Sequence, residues 1–170
     1  MKLSLDYIAG LIDADGSFSV SVKFRKGKYT QIEICPVVNF RCLDLYREVA
    51  ESVQGTLGVG KIYDHSGGPN FKMVTWQTTK KLEALEVAER LIPYLHIKKD
   101  IAIEFADITR IWLTSIKKDW NSHSGVTARP KEVIVSLAKR AIDLNLCNQT
   151  ETNREKRLLT LKKIEEFLGS

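Results

Sequence analysis

The stretch "DYIAGLIDADGSFSV", residues 6–20, changes its hydrophobic period within a few positions. Leu5, Ile8, Ala9 and Ile12 recur at helical spacing, with Ser4 placed as an N-cap and Gly16 as a stop, which predicts a first helix over residues 5–14. After Gly16 the pattern alternates: Phe18, Val20, Val22 and Phe24 take one face, and Ser17, Ser19, Ser21, Lys23 and Arg25 the other. A short apolar helix must therefore feed straight into a half-buried strand. Asp13 and Asp15 sit at the joint.

Two acids at i and i+2 of a helix point roughly 200° apart, so Asp13 and Asp15 are poorly placed to clasp one metal ion within a single chain. They should have different jobs. A carboxylate at a helix C-terminus also opposes the macrodipole, which asks for a cation nearby. A divalent metal ion is one such cation, and hard ions such as Mg²⁺ take carboxylate, carbonyl and water oxygens. The plain alternative is that Asp13, Asp15 and Gly16 only end a helix and open a turn. Ala9 and Gly10 strip bulk from the same helix, so a second copy could approach its backbone and bring two copies of Asp15 together.

Beyond residue 25, "RKGKYT" reads as a basic turn and "QIEICPVVNF" as a returning strand, with Ile32, Ile34 and Val38 inward and Gln31, Glu33 and Asn39 outward. "LDLYREVAESV", residues 43–53, puts Leu43, Tyr46, Val49, Ala50 and Val53 on one helical stripe, broken by "QGTLGVG". "KIYDH" and "FKMVTWQT" flank the turn "SGGPN" and form a second hairpin. Helical stripes return at about 79–92, stopped by Pro93, at about 98–117, and near 131–144 and 153–168. The fold class is α+β: an α-β-β-α-β-β-α core with an antiparallel sheet over residues 1–120, and two C-terminal helices over 121–170 that extend the same domain.

The 170 residues suit one elaborated domain. Lys and Arg total 26 against 21 acidic residues, a net charge of +5 that suits a polyanionic partner. Cys35, Cys42 and Cys147 form an odd set without zinc or redox spacing, which reads as reduced thiols and an intracellular protein, cytoplasmic or organellar. No segment approaches a membrane span, and no membrane partner is expected. His96 and His123 lack partners at metal-ligand spacing. Trp76, Trp112 and Trp120 read as packing residues.

"YIAGLIDADGSF" closely resembles the signature of the LAGLIDADG homing endonucleases, with Ile8 in place of the first leucine, and the order of hairpins and helices over residues 5–117 is similar to that family's core. "PYLHIKKD", residues 93–100, resembles the family's segment bearing a basic active-site residue. The resemblance implies that Asp15 and the backbone carbonyl of Ala14 bind a catalytic divalent cation, Mg²⁺ or another such as Mn²⁺. It implies that Asp13 is structural, and that Lys98 stands near the attacking water or the scissile phosphate. A polar residue after the second strand, often glutamine in the family, orders solvent there. Asn39 is the first candidate for this role and Arg41 the second.

With one motif, the chain is expected to act as a homodimer through the motif helix, with Tyr7, Ala9, Gly10, Ile12 and Asp13 at the seam, hydrolysing both strands of a long pseudo-palindromic DNA and promoting intron mobility. The outward hairpin faces offer Ser19, Ser21, Lys23, Arg25, Gln31, Glu33, Lys61, Tyr63, His65, Lys72 and Gln77 to the major groove. Arg25 or Lys23 suits guanine, Gln31 adenine and Glu33 cytosine, while Lys26 and Lys28 at the turn suit phosphate. An ordinary solvated sheet face has the same composition. The alternative function is an intron-splicing maturase of this fold, with intron RNA as partner. A purely structural dimer is a third reading.

Overall fold

The computed structural model describes residues 2–25, 31–68, 71–115, 130–146, 159, 160, 162–164 and 166. Helix α1 (Leu5–Asp15) runs directly into β1 (Gly16–Arg25), followed by β2 (Gln31–Leu43), a 3₁₀ turn (Asp44–Tyr46), α2 (Arg47–Leu57), β3 (Lys61–Gly68), β4 (Phe71–Gln77), α3 (Lys81–Leu91), a second 3₁₀ turn (Ile92–Tyr94), α4 (Lys99–Thr114) and α5 (Lys131–Leu146). The strands form one four-stranded sheet in the order β1-β2-β4-β3. Its β2–β4 and β4–β3 pairs are antiparallel. The α+β class and the core order are those expected. The basic turn at 26–30, with Lys26 and Lys28, lies outside the described residues, as do Trp120, His123 and Cys147. Of the last expected helix, 153–168, the described residues 159, 160, 162–164 and 166 are helical.

The chain divides into two compact units. In the first, Met1–Ser19 with Pro36–Ala106, α1 buries Ile8, Ala9 and Ile12 completely and packs against α3 and the Ile92–Tyr94 turn. One face of the sheet buries Val38, Phe40, Val74 and Trp76, and α2 packs on β3 and β4. In the second, Val20–Cys35 with Asp107–Ser170, α5 buries Leu137, Ala138, Ala141 and Ile142, and Arg140 pairs with Asp107 at 2.6 Å. The side-chain amide of Asn145 accepts from the Val20 N–H at 3.2 Å and donates to the Val20 carbonyl, satisfying both backbone groups at an edge strand.

The second helix is displaced from its expected range. Leu43 remains in β2 because it pairs with Met73, and the 3₁₀ turn intervenes, so Leu43 and Tyr46 are 41% and 54% exposed instead of lying on a buried stripe. The helix then passes through Gly55 and ends at Gly58, whose φ of 74° supplies the left-handed stop that side chains resist.

Lys72 is also on the other face from the one expected. Cross-strand pairing puts Lys61 beside Gln77, Tyr63 beside Thr75 and His65 beside Met73, whereas Lys72 pairs with Ser66 and shares the face of Val74 and Trp76. The cause is the period of two: Lys72 and Gln77 are an odd number of residues apart, and the one irregularity in this pairing falls in β3, between Ser66 and Gly68.

Candidate active site

The site is built at the end of α1. The last carbonyls of a helix have no intrahelical partner, and here they belong to the residues carrying the acids. Gly16 makes the exit possible. A Cβ there would stand 2.7 Å from the Ile12 Cα and 2.9 Å from the Asn39 carbonyl oxygen, so only glycine lets the helix end come this close to β2.

Asp13 turns inward and is 9% exposed. Its Oδ2 accepts from the backbone N–H of His96 at 2.8 Å and of Ile97 at 3.2 Å, and its Oδ1 from that of Lys98 at 2.9 Å. These groups lead into α4, whose first turn Lys98 caps by accepting from the Ala102 N–H. Burial pushes the Asp13 carboxyl up, but the donors from His96, Lys98 and Ile97 and the Lys98 charge outweigh it and hold the group below its ordinary value. Asp13 is the carboxylate that holds the start of α4 against the end of α1.

The Lys98 side chain reaches back the other way. Its Nζ lies 2.8 Å from the Ile12 and Asp13 carbonyl oxygens, 2.9 Å from that of Gly16 and 3.4 Å from that of Ala14. An ammonium has three protons for these four acceptors, and Ala14 is the most weakly engaged. The cation that the helix end requires is thus present in the chain itself.

Asp15 is exposed beside this cluster. Among the described residues no group of three or more His, Cys, Asp or Glu side chains comes together. A single carboxylate with neighbouring carbonyl oxygens is nonetheless the donor set of a hydrated Mg²⁺ site, where one or two carboxylates, waters and substrate phosphates complete the shell. The residues fit a hard divalent ion shared with substrate.

On the outward face of the first unit, pairing across β2, β4 and β3 sets Asn39, Gln77 and Lys61 in one row, Arg41, Thr75 and Tyr63 in the next, and Leu43, Met73 and His65 in a third. Asn39 and Gln77 are direct partners, so a glutamine does stand beside the Asn39 position, on the neighbouring strand. Arg41 Nε donates to Thr75 Oγ1 at 3.1 Å, lying across the sheet. Lys61, Tyr63 and His65 are exposed. Ser19 donates to the Val37 carbonyl at 3.4 Å. In the second unit Ser21 and Lys23 are exposed, Glu33 is half-buried, and Arg25 and Gln31 occupy strand ends.

Of the five residues expected at a helix seam, Ala9, Ile12 and Asp13 are buried within the chain itself. Helical periodicity separates them from the outward strip of Tyr7, Gly10 and Ala14, which is exposed. Ile97, next to Lys98, is 77% exposed. Burial first, and then the Asp15 charge, pushes the Cys42 thiol up against the opposing Arg47 guanidinium.

Residues 8–108 match the family model described as LAGLIDADG endonuclease. The chain belongs to the LAGLIDADG endonuclease family. No curated protein matches its sequence. Among solved structures, this LAGLIDADG protein is similar to the homing endonuclease I-CvuI in complex with the I-CreI target, at 17% identity and TM-score 0.73, covering 98% of this chain and 94% of that one. It is similar to the archaeal intron-encoded homing endonuclease I-Vdi141I complexed with DNA, at 23% identity and TM-score 0.69, covering 95% and 96%. The LAGLIDADG meganuclease I-AabMI bound to uncleaved DNA matches at 22% identity and TM-score 0.62, with 91% of this chain covering 49% of that one. One copy of this fold thus corresponds to nearly all of the first two chains and to half of the third.

Proposed function

We propose that this LAGLIDADG protein is a site-specific homing endonuclease that acts as a homodimer, hydrolyses one phosphodiester in each strand of a pseudo-palindromic duplex DNA with Mg²⁺ or Mn²⁺, and promotes intron mobility. The observation that carries the reading is the Lys98 ammonium seated on the backbone carbonyls of Ile12, Asp13 and Gly16 at the end of the motif helix, where Asp15 is exposed.

Asp15 and the Ala14 carbonyl would hold the divalent ion, which when bound neutralises charge on the attacking and leaving oxygens. Asp13 fixes the backbone from which Lys98 projects, and the Lys98 ammonium engages the Ile12, Asp13 and Gly16 carbonyls while placing positive charge beside the scissile phosphate. Asn39, with Gln77 beside it, offers amides to orient solvent. The rows on the outward face of the first unit, and Ser21 and Lys23 in the second, supply major-groove and phosphate contacts. Tyr7, Gly10, Ala14 and Ile97 offer the exposed surface for a second copy, which would bring two Asp15 residues to one axis. The half-length match to I-AabMI supports a two-copy assembly.

The test is cleavage of a duplex made by joining the DNA that flanks the open reading frame. Wild-type protein should cut both strands with Mg²⁺ and leave short 3′ overhangs, and EDTA should stop it. Equal cutting in EDTA, or by Asp15→Asn, would overturn the assignment.

A further inference from the structure

The outward face of the first unit is not uniformly polar. Beyond the rows headed by Lys61 and Arg41, the cross-strand pair Leu43 and Met73 stands on the same face, and alternation along β4 adds Phe71 to it. Leu43 is 41% and Phe71 50% exposed. A Cβ at Gly67 would meet the Phe71 ring and Met73 Cγ, so the ring lies over Gly67, at the irregularity in β3, beside Met73. Leu43, Met73 and Phe71 thereby form one apolar strip, continuous with a cationic face.

We infer that this strip reads thymine 5-methyl groups in the major groove, an inference that rests on the DNA-binding reading above. The occupant must offer negative charge to Lys61 and Arg41 and an apolar surface next to it. The major groove does both, because phosphates line it and the thymine methyl is the apolar group on its floor. The Leu43–Met73 pair, with Cβ atoms about 5 Å apart as in any directly opposed pair, presents a surface the size of one or two methyls. The target therefore carries thymine at one or more positions facing this strip, and cytosine there is disfavoured by the missing methyl.

Selection from a randomised duplex DNA library with the full-length protein tests this. Recovered duplexes should share a thymine-enriched position, and replacing dT by dU there, which removes only the methyl, should weaken binding about fourfold per methyl. Leu43→Ala should bind dT and dU duplexes equally, while Leu43→Met should keep the preference. Because Leu43 is exposed, these variants should melt with wild type. Equal wild-type affinity for dT and dU duplexes, or a preference that survives Leu43→Ala, overturns the strip's role and leaves DNA binding standing. A change of oligomeric state in Leu43→Ala with the preference intact assigns the strip to a second copy. Failure to recover any salt-sensitive duplex overturns the DNA reading and this inference with it.

Discussion

Lys98 touches the end of α1 twice over: its backbone N–H donates to Asp13 Oδ1 at 2.9 Å, and its Nζ lies 2.8 Å from the Asp13 carbonyl oxygen. One residue therefore joins the acid-bearing helix to α4 through both main chain and side chain.

Lys98→Met should lower stability by about 2 kcal/mol, the scale of charge-assisted hydrogen bonds lost at a helix C-terminus. Urea denaturation measures it. Lys98→Arg, which keeps the charge but not the compact ammonium, should recover part of the loss.

Asp13 should make stability pH-dependent at the acid end. Its folded pKa is lowered from 3.8, so below that value the unfolded chain binds more protons than the folded one. Its contribution is complete above the unfolded value and is lost as pH falls through the lower folded one. Asp13→Ala should flatten the urea midpoint against pH below about 4 and cost about 3 kcal/mol at neutral pH, because three backbone donors lose their acceptor.

Asp15→Asn should reduce cleavage on the order of 10³-fold while leaving DNA affinity near wild type. Parallel cleavage and gel-shift assays separate the two. A matching loss of binding would make Asp15 a scaffold residue.

Lys23→Ala should weaken binding to the selected duplex about tenfold, the range of one lost base contact. A uniform loss across sequences, with a salt slope shallower by about 1, would assign Lys23 to phosphate.

Gly10→Leu should leave the chain's own fold intact, since nothing lies within 4 Å of a Cβ built at Gly10. Sedimentation should nevertheless show monomers, and cleavage should fall with the dimer. A stable Gly10→Leu dimer would move the seam elsewhere.

Much of the fold was readable because it rests on local periods. The shift from helical spacing to alternation at Gly16, the stop at Pro93 and the inward set Phe18, Val20, Ile34 and Val38 are short-range signals, and the structure keeps them. The errors fall where a distant partner outweighs local pattern. Leu43 stays extended because Met73 pairs with it, and Lys72 leaves the polar face because register between strands, not composition, assigns faces.

The same division runs through the candidate site. The sequence by itself determined that a motif helix ends in two acids pointing different ways, and that the end of that helix needs positive charge, because both follow from helical geometry and the dipole. Only the tertiary structure decided that Lys98 supplies that charge, that Asp13 faces inward to the start of α4, and that Asn39 stands opposite Gln77. Those pairings join residues far apart in the chain, and no local period encodes which distant backbone group will fill an unpaired carbonyl or N–H.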